Sequence, residues 1–392
     1  MRKHTCGDLI ARFGFNLKLV ASAVAILISV TARGESGVSE KEILVGTSTN
    51  LTRKKAGIGE EFNAGITAYI NKINRSGGIH GRKIKRLLYN DSYEPEHTLI
   101  ETKRLVDQDK VFALIGYAST PGVKKILPFI ENKKVPVIAP YSGANILREG
   151  KEKNIFNIKA GYTDQVEALT KLGVYSLGFK EVCVFDQDDL IGNEARAAAD
   201  RTLQKYNLKL LAHAEYQRNS LDVQPSLKKL KAAGCRAIVM ASQDRQTAAF
   251  IISANAMGFH PVYLCLNLIG TELFLNSVGG LQEKIFVSVV TPLPSETAYP
   301  IVREFRRDLK KLNPSAEYTT TTLEGFLAGA VFEEVLKRAG KNLTRTTVTS
   351  AFESLKDANI GGVNFTFNKA NRQATNHVLI TKAEGDELVL LP

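Results

Sequence analysis

The residues of this chain whose types and spacing suit chemistry are hydroxyls on two short turns. Tyr117-Ala118-Ser119-Thr120 follows an apolar burst over 111–115, and Tyr141-Ser142-Gly143 follows a second burst over 135–139. Neither burst alternates polar with apolar, which is the pattern of strands buried on both faces, and Val123, Ile126, Leu127 and Ile130 repeat at helical spacing between them. The stretch 111–144 therefore reads as a βαβ unit. Thr120 followed by Pro121 fits a helix N-cap and first helical position, because the hydroxyl can accept an orphan backbone N–H and proline has none. Successive parallel strands end at one edge of a sheet, so the two turns should lie side by side where open α/β sheets bind ligands. Hydroxyls beside free backbone amides suit a small anion such as a carboxylate. Two ordinary capped βα loops are the competing reading of the same residues.

The elements around this unit continue the alternation. Strands are expected over 42–49 and 83–89, with helices over 62–73 and 95–109. The pattern restarts after 154–159 with helices over 164–177, 193–206, 224–233 and 246–257 and strands over 181–186, 208–214, 236–241, 262–266 and 285–290. Thr291-Pro292-Leu293-Pro294 reads as a linker to three helices, the middle one carrying Leu323, Phe326, Leu327, Ala330, Val331 and Val335 on one face. Short strands then follow over 363–367, 374–381 and 388–391, with a turn at Gly385-Asp386. At 392 residues, 44% hydrophobic and 23% charged, two α/β domains are expected.

Several function classes are poorly served. There is no Gly-x-Ser-x-Gly elbow, His-Glu-x-x-His helix or Gly-Lys-Ser/Thr phosphate loop, and Gly57, Gly59 and Gly65 lack dinucleotide spacing. His80, His97, His213, His260 and His377 stand apart, none at ligand spacing from a second histidine or cysteine. An enzyme is therefore not expected, and neither is a metal or cofactor. The net charge is +12, but the basic residues are scattered, densest at 82–86 and 306–311, which argues against a nucleic-acid reader. Arg2, Lys3, Arg12 and Lys18 precede or flank an apolar run over 19–30 that ends in Val30-Thr31-Ala32, so residues 1–32 read as a signal peptide cleaved near Ala32. Cys6 would leave with it. Cys183, Cys235 and Cys265 remain, each in or beside an expected buried strand, where small apolar core roles are expected; three being odd, at least one stays unpaired in a monomer.

Four stretches carry a family likeness: Gly59-Glu60-Glu61-Phe62-x-x-Gly65, Gly77-Gly78-Ile79-His80-Gly81-Arg82-Lys83-Ile84, Gly116-Tyr117-Ala118-Ser119-Thr120 and Pro140-Tyr141-Ser142-Gly143-Ala144. In that order, behind a signal peptide, they resemble the type I periplasmic solute-binding proteins of ABC transporters, the Leu/Ile/Val-binding class. The resemblance implies two doubly wound α/β lobes joined by three crossings near Gly161, Pro292 and Gly361. Lobe 1 would be 41–160 with 292–360, and lobe 2 would be 161–291 with 361–392. It places a ligand carboxylate against Ala118, Ser119 and Thr120 and against Tyr141, Ser142 and Gly143, with Tyr117 adjoining. It also implies a monomer in the periplasm that hands a small solute to a membrane permease, or the same fold used as a sensor.

The far lobe departs from the family pattern. Ile191 stands where an aromatic is usual after the strand ending at Asp186, Gln243 where a tyrosine is usual, and Asn267 where a glutamate receives the ligand ammonium. A buried ammonium without its anion costs about 3–5 kcal/mol, whereas one hydrogen bond to a charged group returns about 1.5–3. Either Glu60, Asp186, Asp188 or Asp244 supplies the charge, or the solute is not an α-amino acid but an organic acid or amide. Tyr318 completes the set of candidate ligand contacts.

Overall fold

The computed structural model describes residues 34–51, 57–269, 271–281, 284–385 and 387–391. The expected signal peptide with Cys6, and Asp386 of the expected turn, lie outside the described residues.

The first lobe opens with β1 (Glu42–Thr49), α1 (Gly57–Arg75), β2 (Lys83–Asn90) and α2 (Pro95–Lys103), the last running into a π-turn over Arg104–Gln108. It continues with β3 (Ala113–Ile115), α3 (Thr120–Lys133), β4 (Val137–Ile138) and β5 (Ile155–Phe156). The strands pair in the order β2-β1-β3-β4-β5, all parallel. The chain then crosses to a second lobe of α4 (Tyr162–Lys171), β6 (Val182–Gln187), α5 (Leu190–Gln204), β7 (Ala212–Tyr216), α6 (Gln224–Ala232), β8 (Ala237–Ala241), α7 (Asp244–Ala256), β9 (Val262–Cys265), α8 (Thr271–Val278) and β10 (Ile285–Val289). It returns through α9 (Pro300–Leu312), α10 (Thr320–Ala339), α11 (Arg345–Glu353) and the hairpin β11 (Ala358–Ile360) and β12 (Val363–Phe365). Finally β13 (Leu379–Glu384) adds antiparallel to β10 and β14 (Glu387–Leu390) antiparallel to β13, giving a seven-stranded second sheet.

Packing explains the strongest sequence pattern. Phe62, Ile66, Tyr69, Ile70 and Ile73 of α1 are buried against the apolar face of α10, in one core with the first sheet. The helices meet backbone to backbone: a Cβ on Gly65 would lie 1.9 Å from the Thr322 carbonyl oxygen, and one on Gly325 would lie 1.9 Å from that of Phe62. Any side chain at either position would force them apart, so Gly65 is a packing requirement.

Two expectations are corrected here. The third crossing does not fall at Gly361. Phe365, Phe367 and Ala374 belong to the first lobe's core, where Phe156 stacks on Phe352 at 4.3 Å and approaches Phe367 at 5.8 Å. The chain joins the second sheet only at Leu379, so the crossing lies between Ala374 and Leu379. Apolar spacing identified a strand at 363–367 but could not say which core would bury it. Cys183 and Cys235 are likewise not simple core residues: they form a disulfide that ties β6 to the loop entering β8, with Cα atoms 5.9 Å apart, and among the described residues Cys265 is a free, buried thiol. Closing a loop of 52 residues restricts the unfolded chain, so reduction should lower stability by about 2–4 kcal/mol. Guanidinium unfolding with and without reductant measures this; an unmoved midpoint would refute it.

Candidate functional site

The two hydroxyl turns do meet. The Tyr141 amide donates to the Tyr117 carbonyl at 2.9 Å, and the hydroxyls of Thr120 and Ser142 share a hydrogen bond of 2.8 Å. The cap of α3 differs from expectation by one residue. Ser119 is the N-cap, its hydroxyl accepting from the Gly122 amide at 3.1 Å, and Thr120 is the first helical residue. Ser119 is spent on the helix, which leaves the Thr120 hydroxyl to face Ser142. Tyr162, the first residue of α4, stands against both turns. Burial raises its phenol pKa, opposed by hydrogen bonds to Gly143 and the Thr120 and Ser142 hydroxyls. A Cβ on Gly143 would meet the Tyr162 ring at 2.5 Å, so this close approach needs glycine.

These groups open onto a cavity of about 280 Å³ between the lobes. The first lobe lines it with Ile58, Tyr93, Ala118, Thr120, Tyr141 and Ser142, and the second with Tyr162, Ile191, Gln243, Asp244, Arg245 and Leu268. Contacts bridge the lobes over it. The Gln243 amide donates to the Tyr93 hydroxyl at 2.8 Å, and Arg218 donates to the Tyr93 carbonyl at 3.1 Å and to Glu94 at 3.4 Å. Tyr93 makes these contacts from a left-handed backbone, φ 62°, a costly conformation for a bulky residue. The lobes are therefore closed on the cavity.

The family model for periplasmic binding proteins matches residues 42–387. The chain belongs to that family. Leu/Ile/Val-binding protein homolog 3 of Brucella melitensis is 22% identical over 343 residues, which cover 87% of this chain and 90% of the relative. A possible leucine/isoleucine/valine-binding protein from Rhodopirellula baltica matches with a TM-score of 0.84 at 24% identity, covering 90% of this chain and 96% of that one. A branched chain amino acid ABC transporter structure from Thermus thermophilus with bound valine gives 0.81 at 20% identity, covering 91% and 96%. At these identities the likeness is one of fold, a two-lobed α/β architecture.

The remaining candidates of this periplasmic binding protein sort clearly by position. Tyr117 is buried inside the first lobe, its hydroxyl 2.8 Å from that of Thr102. Glu60 is exposed on the first turn of α1, and Tyr318 packs on Phe305 beneath Arg306, on the side of the first lobe formed by α9 and α10. Asp186 is buried and held by Arg196; burial pushes its carboxyl up to about 7, against the pull of the guanidinium. Asp188 accepts from Gln217 at 2.7 Å. Of the four carboxylates weighed as partners for an ammonium, Asp244 alone lines the cavity, on the first turn of α7, with its pKa raised by desolvation.

Asn267 lies just beneath the cavity, not on its wall. Its carbonyl accepts from the Tyr141 hydroxyl, and its side-chain amide donates to Glu324 at 3.2 Å. Glu324 in turn pairs with Lys159 at 2.7 Å, and the Lys159 ammonium sits 3.6 Å from the centre of the Tyr141 ring. A glutamate at 267 would set a second carboxylate against Glu324, so the neutral amide is what this floor requires. Sequence reasoning missed Tyr162, Tyr93, Arg245 and the Lys159–Glu324 pair. An aromatic opening the first helix after a crossing was a signal for Tyr162; the others are set by tertiary packing. Among the described residues, no cluster of histidine, cysteine and carboxylates could hold a metal ion.

Proposed function

We propose that this chain is the exported solute-binding component of an ABC transporter. In this reading it captures a small carboxylate-bearing solute, a branched-chain amino acid or a close relative, between its lobes and delivers it to a membrane permease. It would work in the periplasm as a monomer, with residues 1–32 as its export signal. The observation that carries the reading is the pairing of Thr120 and Ser142 at the start of α3, inside a closed interlobe cavity. Hydroxyls and helix-terminal amides there suit a carboxylate, and Asp244 on the opposite wall suits an ammonium. The names of the relatives, which point to leucine, isoleucine and valine, support the same class. Ile58, Ile191 and Leu268 supply apolar wall for an aliphatic side chain.

Capture follows from hinge closure. In an open cleft each polar group on the walls is hydrated, and closure replaces that water by ligand and interlobe contacts. The Tyr93–Gln243 and Arg218–Glu94 bridges form only when the lobes meet, so solute binding and closure reinforce each other. Thr120→Val keeps the shape and removes the hydroxyl. Binding measured by calorimetry should weaken by about 1–3 kcal/mol with the fold intact, and an unchanged dissociation constant would remove Thr120 from the site.

Arg245 favours one second reading. It lines the same wall as Asp244, so an organic acid with a further acidic group would find a cation there. Preference for dicarboxylates over amino acids in the same titrations would select it.

A further inference from the structure

A second cavity, of about 340 Å³, lies on the other side of the cleft floor and shares no lining residue with the first. Each of the three crossings contributes to its wall: Ile158 and Lys159 from the first, Val290, Thr291 and Pro292 from the second, and Thr375, His377 and Leu379 from the third. Leu327 of α10, Val363 and Phe365 of β12 and Leu390 of β14 complete an apolar lining. The polar groups are graded by depth. Lys159 and Glu324 at the base are buried and already paired with each other, while Glu296, half-buried, and His377, exposed, stand near the mouth.

We infer that this hinge cavity is a binding site for a small neutral, largely apolar molecule. An apolar cavity of roughly 150 Å³ already holds benzene, and this one is more than twice that size. Scaled from benzene, its volume suits up to roughly a dozen heavy atoms. An ionic guest is disfavoured, because Lys159 and Glu324 at the base neutralise each other and would have to part to receive it. A neutral guest with a single hydroxyl or amide leaves that pair intact and covers the apolar walls. Since the walls belong to all three crossings, the space changes shape with the hinge, and a guest that prefers one hinge angle shifts the balance of open and closed forms.

The test uses the full chain and benzyl alcohol, and does not depend on which solute fills the main cleft. Methyl NMR during titration should show one saturable site with Kd on the order of 1 mM or tighter. Signals of Leu327, Val363 and Leu379 should move, while those of Ile58 and Ile191 stay still. Val363→Phe and Leu379→Phe each replace a half-buried residue of the wall and should abolish these shifts without lowering Tm; with two variants the test stands even when one of them fails to fold. Shifts confined to Ile58 and Ile191, binding that survives both substitutions, or no saturation within the solubility of benzyl alcohol would each overturn the inference.

Discussion

Replacing Lys159 with methionine should cost about 3–5 kcal/mol of folding free energy, because it leaves Glu324 buried without its counter-ion. The two side chains are only 3% and 5% exposed, so water cannot make up the loss. A surface pair at the same distance would contribute about 1 kcal/mol or less. Within the native pair, burial pushes Lys159 down to about 8 and raises Glu324, each shift opposed by the partner. The sign of the pH dependence follows. With Lys159 gone, folded Glu324 titrates above its unfolded value, so the fold holds its proton more firmly than the unfolded chain does. The variant's deficit should therefore shrink as pH falls and Glu324 becomes neutral, and grow as pH rises through that raised pKa. Urea unfolding across pH measures this, and the double change Lys159→Met with Glu324→Gln should recover most of the loss. A single variant within about 1 kcal/mol of the parent at neutral pH would contradict a desolvated pair.

Asp244→Asn should remove about 3–5 kcal/mol from the binding of an amine-bearing solute while leaving its desamino analogue nearly unaffected. The comparison isolates the charge, since the amide keeps the size of the side chain and the analogue keeps the carboxylate and hydrocarbon. Asp244 is singled out by geometry: Asp186 is tied to Arg196, Asp188 to Gln217, and Glu60 is exposed. Equal affinity of parent and variant for the amine would mean that the ammonium, if the solute has one, is met elsewhere.

Much of this architecture was legible in the residues. The non-alternating bursts at 111–115 and 135–139 became β3 and β4, and the rule that parallel strands end at one edge brought Thr120 and Ser142 within 2.8 Å. The apolar face from Leu323 to Val335 became the buried side of α10. What escaped depends on partners distant in sequence. Hydroxyls at 119 and 120 are equal candidates for a cap until the Gly122 amide chooses Ser119. Two of the three cysteines beyond the expected signal peptide pair only because β6 and β8, with the loop that enters it, are neighbours. Phe365 and Phe367 fit a strand in either lobe, and Phe156 and Phe352 decide between them. Asn267 looked like a lost ligand contact by position, yet it serves Glu324, a residue 57 positions away in a different lobe.

The central claim is that a carboxylate is gripped where the turns after β3 and β4 meet. Calorimetry with a panel of amino acids and small organic acids, each paired with its methyl ester, tests it most directly. At least one free acid should bind, and esterification should weaken it by about 10-fold to 100-fold, the worth of one charged hydrogen bond. An ester that binds as tightly as its acid would contradict the claim.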